Sequence, residues 1–99
     1  MINEAHIKVR VSELLSRDGI LTFDELGGII WAENVIDYKD NCLAQGLENT
    51  QVGSHFHEEF VNLLNEMSEA GELKWLELTY KHRDKDKSLF LLMDNECDL

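Results

Sequence analysis

Ninety-nine residues, 43% of them apolar, supply one hydrophobic core and too little chain for two, so the reading is a single domain over residues 1–99. No window approaches the roughly 18 consecutive apolar residues of a membrane span, and the N-terminus lacks the basic-then-apolar order of a secretory leader, so the expected location is the cytoplasm. A formal net charge of −11, from 9 basic and 20 acidic residues, sets the averaged field against nucleic acid and anionic membrane.

Asn3 to about Arg17 reads as a helix with Ile7, Val11, Leu14 and Leu15 on one face, ended by Asp18-Gly19. Ile20-Leu21 is a short apolar connector. Thr22-Phe23-Asp24-Glu25 has the form of a capping box, so a second helix starts there and buries Phe23, Leu26 and Ile30. Gly27-Gly28 weakens that helix, since each interior glycine costs on the order of 1 kcal/mol relative to alanine, and the expectation is a short or bent element. Ile36, Lys39 or Asp40, Leu43 and Leu47 then follow a helical period, which predicts a separate helix over about 36–46, capped by Asp37 and stopped by Gly46. After the polar turn Asn49–Gly53, Ser54 is the expected N-cap of the most strongly patterned helix, with Phe56, Phe60, Leu63, Leu64 and Met67 on one face and Gly71 as its stop.

Beyond Gly71 the period changes to two. Leu76, Leu78 and Tyr80 alternate with Glu77 and Thr79, and Ser88 to Met93 is a second run of strand character. Between them His82-Arg83-Asp84-Lys85-Asp86-Lys87 has no Asn-Gly signal, which predicts a charged hairpin loop longer than two residues. If Leu76 and Leu78 face the core, Leu73 and Trp75 face outward and form an apolar patch. The tail from Asp94 to Leu99 is expected to fray.

This order, three to four helices followed by a C-terminal two-stranded β-hairpin in an α+β chain, resembles the winged helix-turn-helix superfamily. The junction Met67-Ser68-Glu69-Ala70-Gly71-Glu72-Leu73 is part of that resemblance. The resemblance implies that Phe56 to Ala70 is the recognition helix and Lys81 to Lys87 the wing. In DNA-binding members that helix brings Arg, Lys, Asn or Gln to base edges. This chain departs from the pattern, because no Lys or Arg stands between Asp40 and Leu73, while Glu58, Glu59, Glu66 and Glu69 lie on that helix. Carboxylates pushed into a groove would meet phosphates.

Charge is unevenly placed: residues 34–72 carry one cation and eight acids, whereas residues 73–99 carry five cations and six acids. Lys81, Arg83, Lys85 and Lys87 outnumber Asp84 and Asp86 in the wing, which reads first as a solvated loop and second as a phosphate contact. Cys42 and Cys97 form no CxxC and no disulfide framework, so both are expected as reduced thiols. His55-Phe56-His57-Glu58-Glu59 contains metal-ligand residue types, but the two histidines at i and i+2 diverge by about 200° on a helix, so no metal site is assigned. No Gly-rich phosphate loop, GxSxG or HExxH occurs, so no cofactor and no catalytic residue is named and the chain is not read as an enzyme.

The functional expectation is therefore an acidic protein-binding module, in its sharper form a nucleic-acid-mimicking inhibitor or an adaptor, that docks on a basic partner surface. Glu58, Glu59, Glu66 and Glu69 would supply the charge, and Trp31 and Trp75 the apolar anchors. The alternative is a dimeric winged-helix transcription regulator touching DNA through Lys81, Arg83, Lys85 and Lys87, with Lys8, Arg10 and Arg17 of the first helix as further contacts.

Overall fold

The computed structural model describes residues 2–95. Helix α1 (Glu4–Asp18) follows Asn3, whose side chain accepts the His6 backbone N–H at 3.3 Å, and it buries Ile7, Val11, Leu14 and Leu15 as their spacing requires. Gly19 turns the chain with a φ of 78°; its N–H donates to the Leu15 carbonyl and its own carbonyl accepts from Asp94 N–H. That second bond ties the end of α1 to the last strand.

Strand β1 (Ile20–Thr22) is a correction to the sequence reading, which took Ile20-Leu21 as a connector. It pairs antiparallel with β3 (Lys85–Asp94), Ile20 opposite Met93 and Thr22 opposite Leu91. Strand β2 (Leu73–His82) pairs with the other side of β3, so the sheet has three strands in the order β1-β3-β2, not two. The local signal for β1 is only two apolar residues; its partner lies some seventy residues along the chain, and only tertiary pairing makes it a strand.

Helix α2 (Phe23–Ala44) is also longer than expected. The capping box forms, with Glu25 N–H donating to Thr22 Oγ1 at 3.0 Å and Thr22 N–H to Glu25 Oε1 at 3.2 Å. The helix then runs through Gly27-Gly28 without a break and absorbs the separate helix read over 36–46. The glycine cost is outweighed because the inner face continues at four-residue intervals through Leu26, Ile30, Tyr38 and Cys42, all buried. Ile36 and Leu43, which fit the same period in isolation, point away from that face. Gly46 lies just beyond the helix with a φ of 90°.

A single turn of 3-10 helix (Asn49–Gln51) leads into α3 (Val52–Glu69), so the helix starts two residues before the expected Ser54, whose hydroxyl instead donates to the Gln51 carbonyl. Its expected face of Phe56, Phe60, Leu63, Leu64 and Met67 is buried, and Gly71 leaves the helix with a φ of 75°.

The hairpin corrects two further expectations. Its connection is two residues, Arg83 and Asp84, both at positive φ (53° and 62°), the pattern of a type I′ turn whose twist matches the strands. Its parity is also the reverse of the one expected: Leu73 is buried and Trp75 packs against the core, while Leu78 and Tyr80 are exposed on the outer side. Asp94, expected to fray, is held as the last residue of β3, and the Asn95 side chain donates to the Gly71 carbonyl at 2.9 Å. Residues 96–99, with Cys97, lie outside the described residues.

The layout is three helices packed on one face of a small antiparallel sheet, and it is compatible with a winged helix. One buried cluster joins α1, α2, α3, Leu21, Leu73 and Leu92. It occupies the half of the hairpin nearest the helices. The far half projects, which suits overall dimensions of 43 × 35 × 21 Å. No helix among the described residues is long and apolar enough to cross a membrane.

Candidate functional site

The four glutamates singled out on α3 do not form one surface. Glu58 and Glu69 are exposed, and their eleven-residue spacing sets them on one outward stripe with the exposed Asn62 and Asn65. Glu66 forms a surface ion pair with Lys8 of α1 at 3.5 Å. Glu59 turns inward, where its Oε2 accepts from the Tyr38 hydroxyl at 2.5 Å and from the Ile2 N–H at 3.3 Å. Burial, followed by this bond to the carboxylate, pushes the Tyr38 phenol well above its usual titration range. Tyr38 therefore acts as a permanent donor, and Glu59 belongs to the packing of α2 against α3.

The two tryptophans lie at separated points of a continuous run of rings. Trp31 packs on Phe56 with centroids 4.9 Å apart, Phe56 on Phe60 at 5.6 Å, Phe60 on Phe23 at 6.0 Å, and Phe23 on Trp75 at 5.8 Å. Trp75 continues to Phe90 at 5.9 Å. Both are half-buried, each with its inner side committed to the core and an outer part in solvent.

Between α2 and α3 this run opens into a groove of about 290 Å³ lined by Phe23, Asp24, Gly27, Gly28, Trp31, Gly53, Phe56, His57 and Phe60. Glycine is what keeps it open. A Cβ at Gly28 or Gly53 would meet no atom within 4 Å, and one at Gly27 would rest on the Phe60 ring at 3.6 Å. His57 stands edge-on to Phe23, with ring centroids 5.5 Å apart, at the rim. The sequence reading missed Phe23, His57 and the glycine floor as site residues. Their signal is present in Gly27-Gly28, which the sequence alone presents as a weakness of the helix.

A second cleft, of about 450 Å³, lies between the start of α1 and α2. Its wall is polar and acidic, with Asn3, His6, Asn34, Asp37, Tyr38, Asp40 and Asn41. Beside it Arg10 forms a two-toothed contact with Glu33, Nε to Oε1 at 2.9 Å and Nη2 to Oε2 at 2.7 Å. The hydrogen bonds from Arg10 hold the Glu33 carboxyl below its usual range.

The wing cations Lys81, Arg83, Lys85 and Lys87 are exposed on the projecting hairpin, but the register divides them. Lys85 and Lys87 share the outer face with Lys74 and His82, whereas Lys81 lies on the other face with Glu77 and Asp86. Among the described residues no group of three or more His, Cys, Asp or Glu converges to hold a metal ion, and His55 and His57 pack against different rings, Tyr38 and Phe23. Cys42 is buried on the inner face of α2. Comparison with protein-family models, with curated proteins and with solved structures returns no match.

Proposed function

We propose that this chain is a protein-binding module of winged-helix type, without catalytic activity of its own, that docks on a basic surface of another protein. The observation that carries this reading is the outward stripe of α3, where Glu58 and Glu69 stand exposed on a helix that has no Lys or Arg anywhere along it. A stripe of one sign steers encounter with a surface of the other and supplies selectivity more than affinity. Affinity then comes from an apolar anchor. The groove beside Trp31 supports this part, since an aliphatic or aromatic side chain of the partner would fit between Trp31, Phe23 and His57 over the glycine floor. In the sharper form the carboxylates stand in for phosphates, and the partner is a nucleic-acid-binding protein whose basic site is blocked.

The test is capture from a lysate of the organism that encodes the chain, comparing the wild type with the double variant Glu58→Lys/Glu69→Lys. Both positions are exposed, so folding is retained and a matching thermal melt serves as the control. The reading expects basic proteins held by the wild type and lost by the variant; an identical captured set would overturn it. Competition by duplex DNA for the captured protein separates mimicry from ordinary acidic docking.

A DNA-contacting regulator is the second reading, favoured by one feature, the grouping of Lys85 and Lys87 with His82 on one side of the projecting hairpin. It predicts salt-sensitive binding of random duplex DNA, strong at about 50 mM and much weaker at about 200 mM, measured by fluorescence anisotropy and lost on Lys85→Ala/Lys87→Ala. The protein-binding reading expects no binding at the lower salt.

A further inference from the structure

Strand β2 is one edge of the sheet, and among the described residues no strand pairs with its far side. Which of its backbone groups are left open follows from the turn. A two-residue loop makes His82 and Lys85 a hydrogen-bonded pair, and such pairs alternate along an antiparallel ladder, so Leu76, Leu78, Tyr80 and His82 direct their N–H and C=O groups to β3. Trp75, Glu77, Thr79 and Lys81 aim theirs at the open edge. The same alternation sends the Asp94 N–H away from β2, where it meets the Gly19 carbonyl. Proline, a bulge or a covering segment blunts most long edge strands. This chain has no proline, its β2–β3 register runs unbroken from Leu73↔Asp94 to His82↔Lys85, and Glu77 to His82 are exposed on the projecting half.

An open edge takes a strand by backbone bonds, and the side chains set opposite one another decide which strand it takes. We infer that β2 pairs antiparallel with β2 of a second copy, about a two-fold axis through Thr79. Open-edge residues bond only to open-edge residues, so few registers exist. An axis at Glu77 sets the two glutamates face to face, one at Leu78 sets Lys81 opposite Trp75, and one at Tyr80 runs the overlap into the turn. At Thr79, Glu77 stands opposite Lys81 on both sides of the axis, and Leu78 opposite Tyr80.

Rows of like chemistry then cross both sheets. Asp86, Lys81 and Glu77 of the copy alternate in sign, Ser88 and Thr79 meet the same hydroxyls of the copy, and Tyr80 meets Leu78 and Leu89 of the copy. The open stretch of β3 beyond β1 has no such register, because the residues turned to that edge, Asp86, Ser88 and Phe90, include no cation. Repulsion between copies is also least here: Leu73 to Asp94 holds five cations and four acids in a chain of net charge −11. The axis sets the two helical bodies at opposite ends of the joined strands. The contact is isologous and occupies both β2 edges, so it closes at the dimer. It uses neither the α3 carboxylates nor the aromatic groove, so it stands apart from the proposed docking function.

Sedimentation velocity on the full chain, from about 10 μM to about 1 mM, covers the range in which a small interface dissociates. The wild type is expected to pass from monomer to dimer and to stop there. Thr79→Pro removes an N–H aimed at the open edge and keeps the bonds to β3, so it is expected to stay monomeric. Should it fail to fold, the charge variants carry the test. Glu77→Lys and Lys81→Glu, at exposed positions and with matched thermal melts, each set like charges opposite one another twice and are expected to lose the dimer. Mixed in equal amounts they are expected to regain it as a one-to-one pair, and the double variant Glu77→Lys/Lys81→Glu to regain it alone, since only the Thr79 register brings the two positions together. A wild type that stays monomeric at about 1 mM overturns the proposal. So does growth past the dimer, a dimer that survives Glu77→Lys or a folded Thr79→Pro, or a double variant that stays monomeric while the wild type dimerises.

Discussion

At the level of single residues, two carboxylates that look alike in the sequence do different work. Glu58 is in solvent, while its neighbour Glu59 receives the Tyr38 hydroxyl and the Ile2 N–H. A Tyr38→Phe change removes the hydroxyl and leaves a half-buried carboxylate short of a donor, which costs about 1–3 kcal/mol in urea unfolding. Glu59→Lys should also destabilise, whereas Glu58→Lys should leave the melt unchanged; equal effects from both would contradict the assignment. Glu33 shows the electrostatic counterpart. Its pKa in the fold lies below the ordinary 4.5, so the Arg10 contact contributes at neutral pH and is lost as pH falls through the depressed value. In Arg10→Gln, an NMR titration of Glu33 should return to the ordinary carboxylate range, and the acid-side loss of stability should become shallower. No change in the Glu33 titration would show that the pair seen here does not persist in solution.

At the level of elements, helix identity was legible in the sequence and helix extent was not. The capping box at Thr22 and the faces of α1 and α3 follow from local pattern, and their buried residues are the ones the spacing names. In α2 two residue sets obey the same period, Ile36 with Leu43 and Tyr38 with Cys42, and nothing local says which faces the core. That choice is made by α3, through Phe56 against Tyr38 with rings 5.3 Å apart and through Glu59. Strand parity failed for a similar reason. Positions 73, 75, 76, 78 and 80 are all apolar or aromatic, so alternation is ambiguous until β1 pairs with β3 and the helices cover one side. The groove was partly legible, because Gly27-Gly28 is unusual inside a helix. Gly28→Ala is expected to raise stability by about 0.5–1 kcal/mol, since the methyl enters open space on a helical residue, and Thr22→Ala to lower it by about 1 kcal/mol through loss of the cap. Thermal or urea unfolding checks both. A destabilised Gly28→Ala would mean that α2 is not regular at this point.

At the level of the whole molecule, charge and apolar surface are sorted together. The helices present acid with little cation from Asp40 to Leu73, and the outer side of the sheet presents lysine with no strand acid. The first surface accounts for the proposed docking on a basic partner. The central claim is that the exposed carboxylates of α3 carry partner recognition. It is tested most directly by parallel capture with the wild type and Glu58→Lys/Glu69→Lys at matched stability. The account predicts basic proteins retained by the wild type and absent from the variant. The same proteins retained by both would contradict it.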